Sequence, residues 1–404
     1  MIGKTEIRYF FFFALLVVIV KFQLLFLNYL NFIYEKYKTF NVKVVNQYKK
    51  NGYYVLKLKK EGVVFYTKSK EDLKNLLNET LKITVITDKL GFIDYLKTFY
   101  LPSFNLRLMP LDRIESYITT QHKDEKSANL FNALFLGGAV DYKTKKELSM
   151  LGISHLFALS GLHLGIISFV LYWILYFPYK IFHRFFPYRN RYVDLAFIIF
   201  VFEFGYLYFT DFPPSLVRAL VLETVIFLYA YYLKNPFSLK ILASVVFLSL
   251  LFFTRAVFTL GFLLSMLGVF YIYLFFRYVK VNVFNTVILS FYMFLNMSVY
   301  SHVFFGNFNY YQLLSPLVNS VFVLFYISEI FLHLINCGGI LDIVVEKYLT
   351  LGDKGGVVFI PYEFGVVFFG LSVGAFFSKR LFFALNLLSL GVIIYIVGVY
   401  SGCF

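Results

Sequence analysis

The chain has 404 residues, 60% of them hydrophobic, at a mean hydropathy of +0.72. No single soluble core hides so large an apolar share, so a water-soluble globular protein is excluded and the bilayer is the solvent for most of the chain. Basic residues outnumber acidic ones 38 to 23, a net charge of +15. Part of that excess is the bias of cytoplasmic loops in membrane proteins, and the rest suits an anionic partner such as lipid head groups or nucleic acid. Two cysteines, Cys337 and Cys403, exclude a disulfide framework and a zinc ribbon.

In chain order, Lys4 and Arg8 lead into an apolar run that reaches Leu30. The start is signal-like, but no small-residue cleavage site follows, so residues 1–30 are expected to be an uncleaved membrane anchor. Residues 31–127 are a different material, carrying 18 Lys and Arg against 11 Asp and Glu. Alternating patterns predict strands at 41–48, 53–59, 63–67 and 82–87, with a further one at 104–108. Asn51-Gly52 marks a hairpin. Residues 69–81 read as a helix, with Ser69 and Asp72 spaced as a capping box. Three strands, a helix, then one or two strands is the order of a small OB-like domain. Its Lys43, Lys49, Lys50 and Lys57 are interleaved with Tyr53 and Tyr54. Cations that hold a phosphate backbone beside rings that stack on bases suit single-stranded nucleic acid. The same pattern also fits a solvated Lys-rich domain that binds nothing.

Residues 128–404 form the membrane domain. Nine further spans are expected, at 153–177, 192–210, 215–233, 238–254, 256–276, 283–304, 313–335, 358–378 and 381–401, each near the 20 residues or so that cross a bilayer. The fold class is thus a polytopic α-helical membrane protein of about nine or ten spans with an extracytoplasmic β-rich domain after the first. Lys180, Arg184, Arg189 and Arg191 mark a cytoplasmic loop, and the N-terminus is also placed inside. Lys379 and Arg380 break the alternation if every later segment crosses. Residues 338–357 or a neighbour are therefore expected to be re-entrant or interfacial, unless the last spans are fewer.

The stretch Gly152–Ile167, "GISHLFALSGLHLGII", puts His155, Ser160 and His163 into an apolar run. On one continuous helix Ser154, Ala158, Gly161, Gly165 and Ser168 share a face, which lets a neighbour pack closely. A local break at Ser160-Gly161 is the alternative. The polar groups fit a hydrogen-bonded helix interface, an aqueous path, or catalysis. Ala158-Leu159-Ser160-Gly161 resembles the Gly-x-Ser-Gly of rhomboid-type intramembrane proteases, with His302 or His333 as the base. A metal site is not expected, because HExxH spacing is absent. Arg218 and Glu223 follow in "PPSLVRALVLE", and Ser265 in "FTLGFLLSMLG". So many intramembrane polar groups indicate a path through the bundle, with Arg218 holding a phosphate or pairing with Glu223 or Glu203.

Residues 152–167 closely resemble the His-Leu-x-Ala-x-Ser-Gly-x-His signature of the ComEC/Rec2 competence proteins. "PPSLVRALVLE", "FTLGFLLSMLGV" and "FFGNFNYYQLLSPLVNSV" resemble that family's later segments and come in its order. Gly138, Arg255, Thr259 and Ser315 depart from the usual residues. The resemblance implies an inner-membrane channel that passes single-stranded DNA to the cytoplasm in natural transformation. His155, Ser160, Gly161, His163, Arg218, Glu223 and Ser265 would line the path, and Lys43, Lys49, Lys50, Tyr53, Tyr54 and Lys57 would bind the strand. The chain is then a bacterial inner-membrane protein with its OB-like domain in the periplasm, not an enzyme, and without cofactor or metal. It would work with a periplasmic DNA receptor, a separate nuclease and a cytoplasmic ATPase or helicase, since no Walker loop and no nuclease-type histidine cluster occurs in the sequence. An intramembrane serine hydrolase using Ser160 and a small-solute transporter are the competing readings.

Overall fold

Alternation of apolar and polar residues builds the first domain. The computed structural model describes residues 4–402 except 51, 61–62, 70–74, 89, 110–112, 234–238, 253–256, 258 and 281. Helix α1 (Lys4–Ile33) leads into strands β1 (Tyr37–Lys50), β2 (Tyr53–Lys60), β3 (Val63–Ser69) and β4 (Thr80–Ile86). A one-turn helix α2 (Phe92–Tyr95) and strands β5 (Phe99–Tyr100) and β6 (Ser103–Leu108) follow. The sheet order is β5-β3-β2-β1-β4-β6. Because β5 and β6 are separated only by Leu101-Pro102, they act as two halves of one fifth strand. Its first half runs parallel to β3, with Phe65 opposite Phe99, and its second half runs antiparallel to β4. Pro102 has no N–H to give a ladder, and the strand changes partners there. Leu101 N–H bonds Tyr66 O at 2.9 Å, and Pro102 O receives Ile86 N–H at 3.0 Å. The sheet is thereby closed into a five-stranded barrel. Phe40, Val42, Val44, Leu56, Leu58, Phe65, Leu81, Ile83 and Val85 fill it.

The barrel is capped by the helix that precedes it. Tyr29, Phe32 and Ile33 of α1 pack onto the barrel core, and Tyr29 donates to Leu90 O at 2.8 Å. Phe32 lies 5.4 Å from Tyr95 and 6.2 Å from Phe40, ring to ring.

The expected helix at 69–81 is not found where it is described. Residues 70–74, with Asp72 of the capping box, lie outside the described residues, as does Asn51 of the hairpin. Residues 75–79 form a turn. Asn75 Oδ1 accepts Leu77 N–H, and Asn78 sits at φ +68. Such local side-chain bonds and left-handed backbone compete with a helix. Asn78 instead joins the barrel to the helical part: it donates to Asn129 Oδ1 at 3.0 Å and Ala139 O at 2.7 Å and accepts Ala139 N–H.

The rest is helical: α3 (Arg113–Thr119), α4 (Glu125–Leu136), α5 (Tyr142–Met150), α6 (Ser154–Phe157), α7 (Gly161–His183), α8 (Arg191–Phe209), α9 (Pro214–Leu233), α10 (Leu239–Phe252), α11 (Leu260–Tyr278), α12 (Val283–Phe304), α13 (Ser315–Leu334), α14 (Asp342–Thr350), α15 (Tyr362–Ala375) and α16 (Lys379–Ser401). Among the described residues six helical stretches are long and apolar enough to cross a membrane: 161–185, 191–209, 260–278, 287–304, 310–334 and 379–401. The chain is a polytopic helical membrane protein with a β-rich domain before its main bundle. One expected span is shorter than forecast, since α15 has 14 residues; the ends of the span expected at 238–254 lie outside the described residues, which give α10 as Leu239–Phe252. Residues 338–357 hold a 3₁₀ turn, the nine-residue α14 and a two-residue strand. At 1.5 Å per residue none of these spans a core of about 30 Å.

Residues far apart in sequence lock α13 to the segment after the barrel. His122 Nδ1 lies 2.9 Å from Asp342 Oδ1, and its Nε2 lies 3.1 Å from His333 Nε2. His333 Nδ1 donates to Glu329 O at 2.8 Å. Tyr117 OH donates to His333 O at 2.6 Å. Glycine is required at 338, because a Cβ there would stand 2.6 Å from His333 Nε2.

Two outcomes follow. Asn78→Ala removes three bonds and leaves Ala139 unsatisfied, at a cost of about 2–4 kcal/mol, read as a lower melting temperature in detergent. Glu79, beside Asn78, has its carboxyl held above the usual range by burial first, then by the charges of Glu115 and Glu125, against the opposing pull of Lys43. The folded form holds that proton more tightly than the unfolded chain. Stability should therefore fall as pH rises from the ordinary carboxylate range through the raised one. Glu79→Gln should raise the melting temperature at neutral pH and flatten that slope.

Candidate functional site

The polar residues of Gly152–Ile167 do not sit on one helix. Helix α6 stops after Phe157, Ala158 and Ser160 are extended, and α7 starts at Gly161. A helix start leaves backbone N–H groups without partners, and in an apolar bundle they must be satisfied by the protein. His163 Nδ1 accepts Ser160 N–H at 3.2 Å, and Ser160 Oγ lies 3.0 Å from the same nitrogen. His163 is fully buried. Its ring meets Tyr326 edge-on at 4.8 Å. The break removes Ser154 and Ala158 from the expected small-residue face. Gly161 keeps its part, since a Cβ there would stand 3.3 Å from Ala219 Cβ on α9. His155 is exposed on α6 and takes no part in the pair.

That close approach sets α7 beside α9 and makes two tiers of polar groups. At the level of Gly161 and Ala219, Arg218 donates from Nη1 to Gly261 O at 3.0 Å and lies over the Phe262 ring, 5.6 Å from its centre. Arg218 forms no ion pair with Glu203 or Glu223 among the described residues, contrary to the expected pairing: the first turn of α11 supplies its partner, and the carboxylates sit further along the helices. Ser265, one turn past Gly261, is half-buried on α11 and joins none of these bonds among the described residues.

The second tier is centred on Ser168 of α7. Its Oγ contacts Glu203 Oε1 of α8, Glu223 Oε1 of α9 at 2.9 Å and Leu164 O at 2.9 Å. A hydroxyl has one hydrogen, while carbonyls and ionised carboxylates only accept. The single Ser168 hydrogen is therefore shared among three acceptors. The sequence singled out Glu223 but left Glu203 and Ser168 outside the site. The small-residue spacing that included Ser168 was the available signal.

The barrel presents a separate surface. Lys57, Tyr66 and Tyr100 stand in one cross-strand row over β2, β3 and β5. Lys57 Nζ lies 5.8 Å from the Tyr66 ring centre, and Lys68 Nζ 5.2 Å from that of Tyr100. Tyr66, Lys68 and Tyr100 were not picked from sequence, because the partner strand β5 is only two residues long. Lys49 lies over the Tyr54 ring at 5.3 Å. Tyr53 and Tyr54, adjacent on one strand, point to opposite faces. Lys50 pairs in register with Tyr53 and is exposed. Lys43 is drawn off to Glu115 at 2.9 Å.

Neither expected base reaches Ser160. His302 Nδ1 donates to Ser298 O at 2.9 Å, and His333 belongs to the His122 cluster. Among the described residues no group of three or more His, Cys, Asp or Glu side chains is arranged to hold a metal ion.

The break, both tiers and the helices that carry them lie between residues 137 and 349, the stretch matched by the family described as "Competence protein". No curated protein and no solved structure matches the chain. The match takes in just over half of the 404 residues and includes the segment whose motif departs from a plain membrane helix. On that ground the chain belongs to the competence protein family, whose role is DNA uptake for competence.

Proposed function

We propose that this chain forms the inner-membrane path by which one strand of imported DNA crosses into the cytoplasm during natural transformation. The observation that carries this reading is Arg218. It is a guanidinium only 9% exposed, set among apolar helices, with a carbonyl and a ring as its recorded neighbours instead of a carboxylate. A buried cation without a counter-ion is costly, and a phosphate that passes it supplies one. Guanidinium donors suit phosphate oxygens. In this reading the N-terminus is cytoplasmic and the OB-like barrel is periplasmic. There the Lys57–Tyr66–Tyr100 row takes the strand first, with bases on rings and phosphates on lysines. A periplasmic DNA receptor, a separate nuclease and a cytoplasmic ATPase or helicase complete the system.

The Ser160–His163 contact at 3.0 Å favours a second reading, an intramembrane serine hydrolase. Against it, His163 Nδ1 also accepts the Ser160 amide, and no carboxylate orients the ring among the described residues.

Arg218→Ala should leave membrane abundance unchanged and let labelled DNA gather at the envelope. Transformant yield should fall about 10- to 100-fold, the loss of one or two charge-assisted bonds. Arg218→Lys should be intermediate, and normal arrival of DNA in the cytoplasm of the alanine variant would overturn the assignment. A fluorophosphonate probe should not label the protein. Labelling that disappears in Ser160→Ala would transfer the assignment to a hydrolase.

A further inference from the structure

A cleft of about 570 Å³ opens between the barrel and the corner that joins α8 to α9. Its lining includes Lys43 of β1, Lys59 and Lys60 of β2, Lys82 of β4, and Asp211 of the corner. Lys43 stands directly opposite Lys59 in the β1–β2 register. Like charges in that position destabilise a sheet, so an anion is needed between the strands. Each lysine has found one at a distance: Lys43 pairs with Glu115 at 2.9 Å, and Lys59 with Asp211 Oδ2 at 2.8 Å. Lys59 Nζ also donates to Asp211 O at 3.1 Å. Lys60 Nζ lies 4.6 Å from the Phe40 ring centre. Lys82 is exposed and has no ion-pair partner among the described residues.

The corner that brings Asp211 here is strained. Asp211 and Phe212 both have left-handed backbone, at φ +59 and +47. That region is uncommon for aspartate and an outlier for a bulky side chain. The turn is held by Asp211 N–H to Tyr208 O and Phe212 N–H to Leu207 O, at 3.2 and 3.0 Å. Strained residues persist where surrounding contacts fix them, and they cluster at clamps and switches. Helix α9 begins two residues later, and Arg218 lies on its first turn or so.

We propose that this cleft binds the phosphate backbone of single-stranded nucleic acid, and that Asp211 holds it shut by standing where a phosphate would sit. The proposal rests on the reading of the chain as a DNA path and adds to it a site and a latch. Three lysines on one side, Lys43, Lys59 and Lys82, in a cleft of ligand size, about 300–1,000 Å³ for typical pockets, suit a string of phosphates; Lys60, next to Lys59 on β2, turns instead toward Phe40. Nucleic acid is favoured over an anionic lipid head group because the Lys57–Tyr66–Tyr100 row lies on the adjoining strands, and rings there can take bases. A strand that displaces Asp211 from Lys59 would pull on the corner that carries α9, and so on Arg218.

The test is an anisotropy titration of a fluorescein-labelled oligothymidylate against the full-length protein in neutral detergent, repeated across salt concentrations. Asparagine also tolerates left-handed backbone, so Asp211→Asn removes the charge and keeps the corner. It should bind about two- to fivefold more tightly, the worth of one exposed ion pair. Lys82→Gln, at an exposed position without an ion-pair partner among the described residues, should weaken binding and lower the salt slope by about 0.7. The gain from Asp211→Asn should vanish on a Lys59→Gln background, as coupled residues require. Binding by the wild type that neither Asp211→Asn nor Lys82→Gln changes would overturn the cleft and leave the DNA reading standing. No binding by the wild type at low salt would overturn both. A gain in Asp211→Asn seen only with phosphatidylglycerol nanodiscs, and not with the oligonucleotide, would overturn the nucleic-acid assignment.

Discussion

One hydrogen bond lets the bundle carry a broken helix. When a chain stops and restarts a helix in apolar surroundings, the exposed amides have to be satisfied from within. His163 does this by turning back from the first turn of α7 to take the Ser160 amide. A leucine at that position could not. The restart puts Gly161 at the end of a helix instead of in its middle, where its missing side chain admits Ala219. The position of α9 follows from that contact, and with it the height of Arg218 and Glu223 relative to Ser168. The imidazole is therefore a structural keystone as well as a candidate lining group.

The barrel and the bundle solve the same problem by different means. In the barrel, backbone groups are satisfied by closing the sheet, and the fifth strand does so by switching partners at Pro102. In the bundle, polar side chains pair across helices: Tyr271 with Ser372 at 2.6 Å, and Asn296 with Asn386 and Ser389 at 3.2 and 3.1 Å. Such bonds order helices where the hydrophobic effect does not discriminate between neighbours. The two domains meet through polar contacts, Asn78 with Ala139, Lys43 with Glu115 and Lys59 with Asp211.

Much of this was legible in the residues because periodicity reports local structure. Strand alternation located β1 to β4 and β6, and apolar run length located most of the long helices. At 152–167 the residues left a continuous helix and a break at Ser160-Gly161 both open, and the chain takes the break. The turn at 75–79 was misread because Leu76 and Leu77 fit a helical pattern, while the asparagines beside them decide the backbone through contacts formed only in the folded chain. Arg218 was recognised as a buried cation, but its partner is a backbone carbonyl, which leaves no trace in sequence. His122 was passed over within a polar linker. Its partner His333 is 211 residues away, and no local pattern can announce such a meeting. Asp211 likewise reads as a loop acid until the barrel is folded beside it.

The seat of Tyr29, Phe32 and Ile33 inside the barrel wall has a mechanical meaning. A domain hung from a membrane by a flexible tether samples many orientations, and the distance of its binding surface from the bilayer is an average. Here α1 runs into the barrel's hydrophobic core with only residues 34–36 between helix and strand. Barrel and α1 turn as one lever. The tyrosine and lysine row thus keeps a fixed bearing relative to the axis of α1, and a tilt of α1 would be transmitted undiminished to that row.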